Sequence, residues 1–79
     1  MYVVIKHNYK NNKVEVIGGY LKRYHAEEAV KKAVGKICDS IDAAGEELPN
    51  VHCSFPDWLV CAGDCPEVKF SIVDVQLKD

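Results

Sequence analysis

No stretch of this sequence approaches the ~18 consecutive apolar residues that a membrane-spanning helix needs. The opening run Met1-Tyr2-Val3-Val4-Ile5 is too short and too strand-like to serve as the apolar region of a secretion signal. A membrane partner is therefore not expected, and the expected compartment is the cytosol. Charge of one sign is also missing: ten Lys and Arg against twelve Asp and Glu leave a formal net charge of −2, with a pI near 5.9. That balance offers no general attraction to nucleic-acid phosphates or anionic lipid. Internal repeats and low-complexity tracts are absent too. A chain of 79 residues has no room for a second core, so residues 1–79 make one domain, of a size that buries only about 60% of its unfolded surface.

What is present is the composition of a folding chain, 48% hydrophobic and 28% charged, with enough apolar surface to offset the entropy of ordering. Four cysteines, at positions 38, 53, 61 and 65, exceed ordinary usage. A disulfide framework normally accompanies a secretory context, so reduced thiols are expected.

Residues 24–44 form the only long stretch of helical periodicity. Ala26, Val30, Ala33, Ile37, Ile41 and Ala44 recur at steps of four and three, flanked by Ala29, Val34 and Cys38. Glu27 and Glu28 are expected in the first turn, each four residues before a lysine, Lys31 and Lys32. No good N-cap residue precedes them, since His25 stands where Ser, Thr or Asp would be expected. Gly35 implies close approach of a strand beneath the helix, and Gly45 supplies the stop.

On either side lie strands. Residues 2–8 alternate, with Val3, Ile5 and His7 on one face and Tyr2, Val4 and Lys6 on the other. The run Asn8-Tyr9-Lys10-Asn11-Asn12 has turn composition, and residues 14–20 return as the second strand, broken by Gly18-Gly19 as a bulge or bend. The spaced glycines of a phosphate-cradling fingerprint are missing there. Residues 46–57, with Pro49 and Pro56, read as a long loop in which Val51-His52-Cys53 and Phe55 can fold back on the core. Residues 58–62 form a short strand, 63–66 a turn, and 68–77 the longest strand. In that last strand Val68, Phe70 and Ile72 share one phase and Val73, Val75 and Leu77 the other, which predicts a bulge near Ile72-Val73 or burial on both faces. The fold class is α+β: a ββαββ two-layer sandwich, with a four-stranded, mainly antiparallel sheet and one helix across one face.

Chemistry has few places to reside. Cys61 and Cys65 are separated by three residues across a predicted turn, within disulfide reach if they face each other. A zinc site can be drawn from Cys53, Cys61, Cys65 and either His25 or His52, but structural zinc sites bring close ligand pairs from two knuckles, and only one approximate pair exists here. No cofactor is expected on that ground. Cys38 falls on the apolar stripe and reads as core. Cys65 beside Asp64 has no assignable base, with His7, His25 and His52 scattered along the chain, so no nucleophile, base and orienting group can be assembled. Asp39 and Asp42 lie near the helix end without a cation-binding loop. Lys22, Arg23, Lys31, Lys32 and Lys36, interleaved with Tyr20 and Tyr24, are the nearest approach to a nucleic-acid surface, but Glu27, Glu28 and the acidic loop dilute their field.

The run Val16-Ile17-Gly18-Gly19-Tyr20 leading into Ala26-Glu27-Glu28-Ala29-Val30, with the closing run Phe70-Ser71-Ile72-Val73-Asp74-Val75-Gln76-Leu77, resembles small stand-alone ββαβ and ββαββ domains of unknown function from phages, giant viruses and microbes. In those domains a strand ending in Gly and an aromatic leads to a helix opening with Glu-Ala. The resemblance implies a fold and a genomic setting and no activity. The cysteine-bearing residues 58–66 lie outside it.

The expected function is a non-enzymatic protein-interaction or structural module; the resemblance adds a viral accessory or minor virion setting. It is expected to act on a protein partner or a second copy through its open sheet face or an edge strand. Tyr2, Val4, Ile17, Leu59 and Cys61 are the residues expected on that face, since soluble monomers seldom leave a large apolar patch uncovered. The alternative is a thiol-redox or metal-binding module built on Cys53, Cys61 and Cys65 with His52.

Overall fold

Asn8 and Asn11 turn the chain back on itself. Their side-chain oxygens accept hydrogen bonds from the backbone N–H two residues on, Lys10 N at 3.0 Å and Lys13 N at 3.1 Å. Asn12 adopts the left-handed conformation at φ 55°, which asparagine tolerates better than most residues. This turn joins β1 (Tyr2–Asn8) to β2 (Lys13–Tyr20). The computed structural model describes residues 1–54, 56–62 and 65–76, and the chain continues through α1 (Arg23–Ala43), β3 (Asn50–Ser54), β4 (Asp57–Ala62) and β5 (Cys65–Asp74). The expectations for Phe55, for the turn residues Gly63 and Asp64, and for Leu77, Lys78 and Asp79 lie outside the described residues.

The strands form one five-stranded sheet in the order β2-β1-β5-β4-β3, with every neighbouring pair antiparallel. The α+β class stands, with one helix against one face; the count of four strands does not. β3 lies within residues 46–57, expected as loop, and pairs with β4 from Asn50↔Cys61 to Ser54↔Asp57. Its sequence, Asn-Val-His-Cys-Ser, alternates, but with only Val51 and Cys53 as apolar residues, and it sits between prolines. Its extended form comes from the β4 ladder beside it, a tertiary effect that local propensity does not announce.

The glycine pair in β2 does mark a bulge. The β1–β2 register runs from Val4↔Gly18 to Ile5↔Val16, leaving Ile17 without a partner. A Cβ at Gly18 would lie 2.9 Å from the Tyr20 hydroxyl oxygen, and one at Gly19 only 2.6 Å from the Met1 Cε. Two larger side chains therefore fill the space the glycines leave. The bulge expected near Ile72-Val73 is absent, because β1 and β5 pair without a break from Tyr2↔Asp74 to Asn8↔Val68. Only the Val68, Phe70, Ile72 phase is buried, and Val73 stays 41% exposed, so both expected outcomes fail. An irregularity does occur at the other end of β5, where Val60↔Val68 gives way to Cys61↔Pro66 and Glu67 is skipped, a usual place for proline in a sheet.

Lys22 occupies the N-cap of α1 and makes no side-chain capping bond. The helix begins at Arg23, so Glu27 and Glu28 fall beyond the first turn. Glu27 accepts from Arg23 Nε at 3.3 Å rather than pairing forward with Lys31. The C-terminus closes as anticipated: Gly45, at φ +74°, donates to the Asp42 carbonyl at 3.0 Å and Glu46 donates to the Ile41 carbonyl at 3.1 Å. That pair of bonds is a Schellman motif. The strand expected beneath Gly35 is not there, since a Cβ built on it meets no heavy atom within 4 Å.

The helix lies over β1, β2 and β5. Val4, Phe70, Val68, Ile72, Trp58 and Val60 from the sheet meet Ala26 and Val30 from the helix, with Tyr2, Tyr20, Ala33, Val34 and Ile37 packed around them. Cys38, read as core, is only half-buried. Among the described residues no helix is long and apolar enough to cross a membrane.

Candidate functional site

Because side chains alternate along a strand, the residues opposite the helix can be taken row by row across the sheet. One row runs Gly19, Val3, Val73, with Met1 laid against Gly19. The next runs Val16, Ile5, Ser71, Asp57, and the next Val14, His7, Lys69, Leu59, His52. The surface has two halves. Towards β2 it is apolar and uncovered, with Val14 and Val16 exposed to 64% and 68%. Towards β3 it is polar, and its charges are matched: Ser71 Oγ donates to Asp57 Oδ1 at 2.8 Å, and Lys69 Nζ lies 3.9 Å from the same oxygen. Tyr9, His52, Asp57, Leu59, Pro66 and Lys69 line a shallow hollow of about 350 Å³ in that half.

The five residues expected on the open face divide between the two sides. Leu59 is there, half-buried between Lys69 and His52. Cys61 follows Val60 in an unbroken β3–β4 register and so faces away from the helix; it is 5% exposed and lies outside the helix-side core. Ile17 is the unpaired, exposed residue of the β2 bulge. Val4 is 0% exposed at the centre of the core, and Tyr2 packs against the same core. These two placements are corrected. Both phases of β1 are apolar, and the pairing of Val4 with Ile72 puts the Tyr2, Val4 phase under the helix. The residues that replace them, Met1, Val3, Ile5, Val14, Val16 and Val73, are the opposite phase of the same strands, so their alternation was the signal that could have found them.

The cysteines are not brought together. The hairpin register pairs Ala62 with Cys65 and Cys61 with Pro66, so Cys61 and Cys65 stand one position out of register rather than opposite each other. Cys53 pairs with Trp58, three positions along β4 from Cys61. All four thiols are free. His25 is at the start of the helix, its ring 4.1 Å from that of Tyr24, while His52 is on β3 beside Leu59. Among the described residues no group of three or more His, Cys, Asp or Glu side chains is placed to hold a metal ion. The set Cys53, Cys61, Cys65 and His52 is therefore close in sequence but divided among strand positions.

The basic cluster at the helix is partly spent on neighbours. Lys22 Nζ sits 5.9 Å from the Tyr24 ring centroid, and Arg23 is bonded to Glu27. Gly18 and Gly19 hold no open cradle, since Tyr20 and Met1 lie against them.

No protein family, curated protein or solved structure matches this chain.

Proposed function

We propose that this chain is a protein-interaction or structural module that acts through the sheet face opposite the helix. The observation that supports this reading is the apolar half of that face. Met1, Val3, Ile5, Val14, Val16 and Val73 adjoin one another across β2, β1 and β5, and several are substantially exposed. A contiguous apolar patch of this kind on a small domain marks an interaction site more often than a bare surface. The face favours the module over the edges: β2 is bulged at Ile17 and carries Lys13, and β3 has five residues, features that blunt strand addition. The viral setting rests on the resemblance alone and does not bear on the choice of face.

Photocrosslinking tests the reading. Val16→benzoylphenylalanine on the face is compared with Leu21→benzoylphenylalanine off it, with the purified chain alone and in host lysate. Discrete adducts from position 16 that position 21 does not give are expected. The same adduct pattern from both positions, or none from either, would remove the face from consideration.

A further inference from the structure

We infer that the space between the C-terminal half of α1 and the sheet binds a small amphipathic anion, an aliphatic chain carrying a carboxylate or phosphate head. This site is on the helix side of the sheet and does not rest on the reading above.

The space exists because helix and sheet match over only part of the helix. Ala26 and Val30 are fully buried, whereas Ile37 and Ile41, further along the same apolar stripe, are only half-buried. Where those two isoleucines lie, the helix-facing phase of β1 has changed from Val4 to Lys6 and Asn8, paired with Phe70 and Val68. An apolar stripe set against a strand that has turned polar is a local mismatch, and such mismatches concentrate at functional sites. The space left between them is about 350 Å³, a volume found among small-molecule pockets.

Charge selects the occupant. Three lysines, Lys6, Lys10 and Lys36, line the space with one carboxylate, Glu67. Glu67 is committed to Lys10 at 3.1 Å. Lys6 and Lys36 make no ion pair among the described residues, even though Glu15 stands opposite Lys6 in the β1–β2 ladder. The negative end of the helix dipole opposes an anion, but at roughly half an elementary charge it is weaker than two free lysines. Its last carbonyls, of Ser40, Ile41 and Asp42, already accept from Ala44, Glu46 and Gly45. A cation would meet the lysines unfavourably, and a neutral apolar ligand would leave them unused. An anion with an aliphatic tail suits both Lys6 and Lys36 and the apolar lining of Ile37, Ile41 and Val68. The adjoining hollow past Ile41 is lined by Glu46 and Glu47, which directs the head towards the lysines.

Amide NMR shifts of the isotope-labelled chain test the site, with octanoate or octyl phosphate added to about 10 mM, a range suited to the modest affinity of so small a ligand. Saturable shifts at Lys6, Lys36, Ile37, Ile41 and Val68 are expected, and the tighter of the two ligands identifies the head group. Acetate should bind at least about tenfold more weakly, the effect of losing two buried methylenes, and octylammonium should not saturate. Lys6→Gln and Lys36→Gln should each weaken binding about three- to fivefold. Lys36→Gln, at an exposed helix position, stands in if Lys6→Gln loses its far-ultraviolet circular dichroism. Lys31→Gln, exposed on the helix and outside the lining, should bind as the wild type does. The inference is overturned if neither anion saturates, if acetate or octylammonium binds as tightly as octanoate, or if both lysine variants retain wild-type affinity. Shifts confined to Val3, Ile5, Val14 and Val16 also overturn it, because they would place the tail on the opposite face.

Discussion

Replacing Gly35 with alanine should stabilise the protein, and the size of the gain can be worked out from its surroundings. Gly35 stands midway along the 21-residue helix, and its backbone is not in the left-handed region. The position a Cβ would occupy is empty to 4 Å. Alanine there meets no clash and gains no tertiary contact, which leaves the intrinsic difference between the two residues in a helix interior, about 0.8–1.0 kcal/mol. Part of that gain comes from restricting the unfolded chain rather than from improving the folded one. At roughly 0.05–0.15 kcal/mol per residue a domain of this length has a total stability of only about 4–12 kcal/mol, so the change is a measurable share. Urea denaturation followed by circular dichroism should show a raised midpoint with an unchanged m-value, and the thermal midpoint should rise by about 4–8 °C. Wild type and variant are compared at equal concentration, because any association of the folded state would add stability by mass action. An unchanged or lowered midpoint would refute the reasoning, since it would mean that something approaches the helix at a place where the folded chain leaves space.

The two helix ends supply further tests. Gly45→Ala keeps the Schellman bonds but forces a Cβ into a positive φ, so a loss of about 1–2 kcal/mol is expected, with Gly45→Asn closer to wild type; urea midpoints of the three proteins decide it. Lys22→Asp places a capping oxygen and a negative charge where the helix has neither, and should add about 1 kcal/mol. A smaller gain at high salt than at low salt would identify the dipole contribution to that figure.

The local elements of the first half were legible because local chemistry decides them. The asparagine-rich turn and the Gly45 stop each depend on a backbone conformation that few residues favour, and the glycines beside the bulge are needed because Tyr20 and Met1 occupy the space a side chain would take. β3 was not legible, because the alternation in Asn50–Ser54 rests on Val51 and Cys53 alone and is too short to separate it from loop until β4 is beside it. The open face was half legible for a different reason. In β1 both phases are apolar, and periodicity defines two faces without saying which one the helix takes. That choice is made by register, through Val4↔Ile72 and Lys6↔Phe70, and by the polar Lys6 and Asn8 ending the apolar phase that carries Val4. The cysteine grouping failed in the same way. A separation of three residues suggested facing positions, whereas the hairpin register pairs Ala62 with Cys65 and shifts Cys61 to the other side of the sheet.

The sheet order also has a consequence for how the molecule is made. β1 and β5, the first strand and the last, lie side by side in the middle of the sheet, and Met1 and Val75 close the pair through bonds of 2.8 and 3.2 Å. During synthesis the β1–β2 hairpin and the helix emerge before β5 and find only part of their core, because Val68, Phe70 and Ile72 follow the other core residues. The early product is thus a hairpin with one central edge unsatisfied, the kind of strand that pairs wrongly with a neighbouring nascent chain. The arrival of β5 seals that edge and completes the core, so the time between synthesis of β1 and of β5 sets how long each molecule is at risk of aggregation.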